Sequence, residues 1–185
     1  MIYTAQQTQN IVITGGPGMG KTSIITHLTA QGYHCIPEVG RMIIIEQMRT
    51  QGNKLPWVDP LAFAMEMLGQ ATADYKKRVS QPAGGFTFFD RGIPDIMGYL
   101  SICGIAIPPA LEEACHNLPY FNKVFITPPW EEIYVNDAER KQSFSEAIDT
   151  YEAMKRVYSN LGYTLIEIPK LSIAKRVQFI VSALQ

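Results

Sequence analysis

Neither sign of charge dominates this sequence: 16 lysines and arginines stand against 17 aspartates and glutamates, a formal net charge of −1. No general attraction to nucleic acid or anionic lipid is built in, and no nucleic-acid partner is expected. Cysteine is scarce. Cys35, Cys103 and Cys115 are odd in number, widely spaced and form no C-x-x-C pair, which argues against a disulfide or zinc framework and for small buried free thiols in a reducing compartment. Long apolar runs are missing as well, since none approaches the ~20 residues of a membrane-spanning helix. No basic segment followed by an apolar one opens the chain, so the expectation is a cytoplasmic protein without a membrane span. Internal repeats, low-complexity tracts and linkers are also absent. What is present is 185 residues, 46% of them hydrophobic, enough to close a sizeable core as one domain spanning 1–185.

The most informative stretch lies near the start. Ile11-Val12-Ile13-Thr14 is a short apolar run, Gly15-Gly16-Pro17-Gly18-Met19-Gly20 interrupts it, and Lys21-Thr22-Ser23 opens a helical pattern. Gly15, Gly20, Lys21 and Thr22 satisfy the Walker A template G-x-x-x-x-G-K-[ST] without a gap. Glycines let successive backbone N–H groups turn inward around phosphates, and the following helix points its positive end at them. Residues 15–23 are therefore the expected nucleoside-triphosphate site, with Lys21 reaching the β/γ-phosphates and Thr22 ligating Mg²⁺.

Around this loop the pattern alternates between strand and helix. Strands are expected at 10–14, 33–36, 86–90, 122–127 and 163–168, and helices at 21–30, 39–49, 60–80, from Pro94, near 110–116, at 143–160 and after a Ser172 cap. Asp59-Pro60 reads as an N-cap followed by proline at the first helical position, with Leu61, Ala64, Met65, Leu68, Tyr75 and Val79 as the apolar stripe beyond it. Five apolar strands separated by helices give a parallel three-layer α/β/α sheet with right-handed crossovers.

Ligands in such sheets collect beyond the carboxyl ends of the strands, and two carboxylates fall there. Glu38 follows the second strand, where it either caps the next helix or serves a site. Asp90 ends Phe86-Thr87-Phe88-Phe89, the form of a Walker B element in which an aspartate meets Mg²⁺ opposite Thr22. Arg91 comes next, at the position where hydrolytic motor ATPases carry a water-activating glutamate. Trp57, beside Pro56, is either an anchor packed on the core or a stacking face over a substrate. The charged stretch 130–143 reads as a solvated helix and loop or, in a phosphate-transferring enzyme, as a lid that brings Arg140 in on closure.

Gly15-Gly16-Pro17-Gly18-Met19-Gly20-Lys21-Thr22, Pro37-Glu38, Pro56-Trp57, Phe89-Asp90-Arg91-Gly92-Ile93-Pro94-Asp95, Pro129-Trp130 and Asn136-Asp137-Ala138-Glu139-Arg140 together resemble a predicted ATPase/kinase family, AAA_28-like. That family includes the ribosylnicotinamide kinase domain of NadR and a eukaryotic GTP- and lipid-binding branch. The chain is more distantly similar to deoxynucleoside and nucleotide kinases. The resemblance covers nearly the entire sequence and implies a P-loop NTPase fold with strand order 2-3-1-4-5. It also implies roles: ATP phosphates on residues 15–23, Mg²⁺ on Thr22 and Asp90, charge stabilisation by Lys21, Arg91 and Arg140, and Glu38 as base toward an acceptor hydroxyl. Asp-Arg-Gly stands where nucleoside kinases carry Asp/Glu-Arg-Ser, so the acceptor stays open, as do the choice of purine and the oligomeric state.

The expectation is thus Mg²⁺-dependent phosphoryl transfer from ATP to a small-molecule acceptor. The alternative is a nucleotide-binding ATPase/GTPase switch. Against it, Asp90-Arg91-Gly92-Ile93 is not D-x-x-G, and Asn122-Lys123 lacks the aspartate of N-K-x-D. An AAA-type motor is a third reading, disfavoured by Arg91 in place of the glutamate.

Overall fold

The computed structural model describes residues 9–80, 85–134 and 143–185. Its five strands are β1 (Gln9–Gly15), β2 (His34–Ile36), β3 (Phe86–Asp90), β4 (Lys123–Thr127) and β5 (Thr164–Glu167), with helices α1 (Lys21–Ala30), α2 (Val39–Thr50), α3 (Pro60–Val79), α4 (Ile93–Ile102), α5 (Pro109–Asn117), α6 (Phe144–Asn160) and α7 (Ile173–Ser182). A 3-10 turn, Glu131–Ile133, follows β4. All strand pairs are parallel and the order is β2-β3-β1-β4-β5.

Side chains alternate across the sheet, as the two-residue strand period requires. Val12, Phe89, Val124 and Ile126 face a core shared with α2 to α6, built on Phe63, Leu100, Leu111, Tyr151 and Tyr158. Ile11, Ile13, Phe88 and Phe125 face the other side, against Ile24 and Leu28 of α1 and Val177 and Ile180 of α7. This is the three-layer α/β/α architecture. The chain leaves β1 toward β2 at one edge and leaves β3 toward β4 on the other side, so a crevice opens at the carboxyl end of β1.

Helix starts follow local chemistry. The Asp59 carboxylate accepts from the Ala62 amide at 2.9 Å with Pro60 in the first turn. Ser143 and Glu146 form a reciprocal capping box that starts α6. Ser172 behaves differently from expectation: its side chain makes no cap bond, and its carbonyl accepts from the Arg176 amide at 2.9 Å.

The buried face of α3 also departs from the expected stripe. Phe63, Ala64, Met67, Leu68, Tyr75 and Arg78 are buried, whereas Leu61, Met65 and Val79 are exposed, because the helix is apolar on more than one side and the sheet selects only one. Trp57 is 64% exposed while Leu55 is buried, so Leu55, not the tryptophan, anchors that loop. The three cysteines are unpaired, but only Cys115 is buried; Cys103 is exposed. No helix among the described residues is long and apolar enough to cross a membrane.

Candidate functional site

β1 delivers the glycine-rich loop to the crevice. Gly20 precedes α1 at φ 78, a left-handed conformation in which a side chain is strained. Gly16 lies so close to α6 that a Cβ there would sit 2.3 Å from the Ala147 carbonyl oxygen. No side chain caps α1, which leaves its first amides as an anion-seeking end. Thr22 and Ser23 are exposed in the first turn of that helix. Met19 differs from its loop neighbours: its side chain is fully buried and its Sδ accepts from the Trp130 amide at 3.2 Å.

Lys21 is 6% exposed and donates from Nζ to the carbonyls of Gly15 at 3.0 Å and Gly16 at 2.7 Å. Burial pushes its pKa down to about 7. The Arg91 charge adds to the fall, and Asp90, Glu38 and Asp95 oppose it. Asp90, at the end of β3, is 5% exposed, and its Oδ1 has no hydrogen-bond partner among the described residues. Burial, reinforced by the Glu38 charge, raises its pKa to about 6 against the pull of Lys21 and Arg91. An orphaned, buried carboxylate oxygen suits a hard divalent cation, and Mg²⁺ needs few protein ligands because phosphates and waters complete its shell.

Arg91 extends the β1–β3 ladder by donating its amide to the Ile13 carbonyl at 3.0 Å, and then turns into the left-handed region at φ 72. Its guanidinium lies between two carboxylates. Nε donates to Glu38 Oε1 at 3.0 Å and Nη1 to Asp95 Oδ1 at 3.0 Å. Burial works against its charge, but Glu38, Asp95 and Asp90 outweigh that and hold its pKa above the ordinary arginine value. Glu38 occupies the N-cap position of α2 without a side-chain cap bond; its carboxylate reaches Arg91 instead. The structure thus brings Lys21, Glu38, Asp90 and Arg91 together at one sheet edge, beside the loop. Arg140 and most of the 130–143 stretch lie outside the described residues.

Several residues at this edge were given no site role by the sequence reading. Asp95 is 4% exposed and collects donors from Thr14, Gly92, Arg91 and Tyr158. Arg176 of α7 donates to the Met19 carbonyl at 3.0 Å and lies 5.8 Å from the Trp130 ring centre, with its Nε and Nη1 buried and unpartnered among the described residues. The Asp-Arg-Gly-Ile-Pro-Asp block carried a signal for Asp95, an acid at the third position of a helix. Nothing local pointed to Tyr158 or Arg176.

The glycine-rich loop at the end of β1 and the 2-3-1-4-5 sheet define a P-loop NTPase fold. Within that class the chain belongs to the AAA_28 family, an AAA domain, whose model matches residues 10–176. Its fold is similar to that of the NadR protein solved in complex with NR, with a TM-score of 0.70 and 14% identity over 96% of this chain and 51% of that one. It is similar to deoxyadenosine kinase from M. mycoides solved with products dCMP and dCDP, at TM-score 0.66 and 14% identity over 95% and 98% of the two chains. Thymidylate kinase from Ehrlichia chaffeensis gives 0.63 and 17% over 96% and 99%. At these identities the likeness is one of fold. No curated protein sequence matches the chain.

Proposed function

We propose that this protein is a cytoplasmic kinase that transfers the γ-phosphoryl group of ATP to a hydroxyl or phosphate oxygen of a small acceptor, nucleoside- or nucleotide-like. The observation that carries this reading is the Glu38–Arg91 pair, 3.0 Å apart, beside the P-loop. An arginine occupies the place of a hydrolytic motor's glutamate, and the carboxylate it holds comes from the neighbouring strand's end, on the side where an acceptor would enter.

The acceptor oxygen attacks the γ-phosphorus, a new P–O bond forms, and the bond from that phosphorus to the β,γ-bridging oxygen breaks to release ADP. A hydroxyl acceptor gives its proton to Glu38. Lys21 and Arg91 hold the charge that spreads over the transferring group, with Arg140 brought in by the 130–143 lid. Residues 15–23 cradle the phosphates. Mg²⁺, held by Thr22 and Asp90, would neutralise β/γ-phosphate charge when bound. The nucleoside and nucleotide kinases of like fold, and a NadR structure solved with NAD and AMP-PNP, support a nucleotide in this crevice.

The test is a thermal-shift screen of nucleosides, nucleotides and vitamins with Mg²⁺ and a non-hydrolysable ATP analogue, followed by transfer assays on the best acceptor. Glu38→Gln should lower turnover while nucleotide binding stays intact, and Arg140→Ala should depress it ~10³-fold. Rapid hydrolysis of ATP without acceptor, insensitive to both substitutions, would mean an NTPase or switch instead.

A further inference from the structure

Asp95 is a carboxylate with no lone pair to spare. Oδ1 accepts from the Thr14 hydroxyl at 2.5 Å and from Arg91 Nη1 at 3.0 Å, and Oδ2 accepts from the Gly92 amide at 2.9 Å and the Tyr158 hydroxyl at 2.6 Å. An ionised carboxylate offers about four acceptor sites, so these donors fill it. A filled, buried carboxylate has no acceptor site left for a substrate or a metal, which separates it from Asp90 five residues earlier, whose Oδ1 has no partner among the described residues.

A helix cap alone would need only the Gly92 amide. Here the other oxygen is spent on Arg91, a non-glycine residue at φ 72. Such strain persists only where the surroundings over-determine it. Gly92, for which that conformation would be cheap, is the next residue. The turn therefore presents the Arg91 side chain at a backbone cost, and Asp95 both closes the turn and clamps the guanidinium.

We propose that Asp95 is a positioning residue for Arg91, aligned in its turn by Thr14 from β1 and Tyr158 from α6. Burial first, and then the Asp95 charge, keep the Tyr158 hydroxyl protonated as a donor. The same helix α6 lies against the P-loop at Gly16, so one rigid element sets the position of both the phosphate cradle and the arginine beside it. With Nε on Glu38 and Nη1 on Asp95, the guanidinium is held from two sides. The kinetic consequence rests on the kinase reading above; the geometric one does not.

Two arms separate the two. In protein with ¹⁵N-labelled arginine, Arg91 side-chain resonances are assigned by their loss in Arg91→Lys. In the wild type they should show slow water exchange and restricted rotation, and Asp95→Asn, which removes the charge and leaves one acceptor oxygen for four donors, should abolish both. Tyr158→Phe, which keeps the ring and removes one donor, should shift them the same way by less, and it carries the test if Asp95→Asn does not fold. In the kinetic arm, with the best acceptor from a panel of nucleosides and nucleoside monophosphates, Asp95→Asn should lower kcat about 10²-fold, the scale of a 1 Å misplacement, with KM for Mg·ATP within a few-fold. The double variant Asp95→Asn/Arg91→Ala should be no slower than Arg91→Ala alone. Unchanged arginine resonances in both Asp95→Asn and Tyr158→Phe, or multiplicative losses in the double variant, would overturn the proposal. A wild type that transfers to no acceptor would overturn the kinase reading while the resonance arm still decides the role of Asp95.

Discussion

Replacing Gly16 by alanine probes whether the P-loop owes its shape to the helix behind it. The added methyl would lie 2.3 Å from the Ala147 carbonyl oxygen and 3.1 Å from its carbon. Both atoms belong to the backbone of α6 and cannot swing aside as a side chain could. Ordinary contact begins at 3.4 Å, so the loop must withdraw by about 1 Å, a shift that costs about 10²-fold where groups are aligned for a ligand. Gly16 is outside the left-handed region, so the clash and not backbone strain is the cause. Lys21 moves with the loop, because its Nζ is bonded to the Gly16 carbonyl at 2.7 Å. Calorimetric titration with Mg²⁺ and a non-hydrolysable ATP analogue should show affinity falling about 10²-fold while circular dichroism stays native. Gly69→Ala is the control. It sits within α3 with nothing inside 4 Å of the new methyl, so it should bind normally and gain roughly 0.5–1 kcal/mol of stability. Gly16→Ala with wild-type affinity would refute the reasoning, since the loop would then hold its shape without α6.

Three further outcomes are expected. Lys21→Ala should remove phosphate-dependent nucleotide binding in the same titration and leave the fold intact, since the lysine bonds to its own loop carbonyls and anchors no core. Nucleotide affinity should peak between about pH 6 and 7 and fall on both sides. The empty site loses the Lys21 proton above its lowered pKa of about 7 and binding must restore it, whereas Asp90, raised to about 6, takes up a proton in acid that a cation must displace; a flat profile from pH 5 to 9 would contradict this. Leu100→Ala, at a fully buried position on α4, should cost about 2–5 kcal/mol in urea titration and spare nucleotide binding per folded molecule.

The strands and the loop were legible because each is written in adjacent residues: an apolar run, a glycine spacing, an acid at a strand end; the order of the sheet was implied only by the family resemblance. The face of α3 was not. Leu61 and Met65 fit a helical stripe as well as Phe63 and Met67 do, and only packing against Tyr99 and the sheet decides for Phe63. Glu38 shows the same limit, as its sequence position fits a cap and a site equally, and only the fold shows that its carboxylate makes no cap bond and pairs with Arg91 beyond a different strand. Asp95, Thr14 and Tyr158 are polar residues far apart in the chain, each unremarkable alone. Their meeting in one buried cluster is a property of topology, which no local pattern records. Ser172 erred in the opposite direction, a good capping residue whose backbone serves and whose hydroxyl does not.

The position of β1 bears on how the chain folds during synthesis. It is the central strand, with Ile11 beside Phe88 on β3 and Ile13 beside Phe125 on β4, and β2, the first strand made after it, touches only β3. At about 5–20 residues per second, the strand that completes the triphosphate loop waits about 4–15 s for its first partner. Throughout that interval Ile11-Val12-Ile13, fully buried in the finished protein, is an unpaired apolar edge of the kind that templates aggregation. The arrival of Phe86–Asp90 then joins β2 and β1 through one strand. The loop between Gly15 and Lys21 consequently gains its first strand partner only once Phe86–Asp90 has been made and the α6 backbone behind Gly16 later still, and slowing translation ahead of Phe86 lengthens the time the strand is exposed.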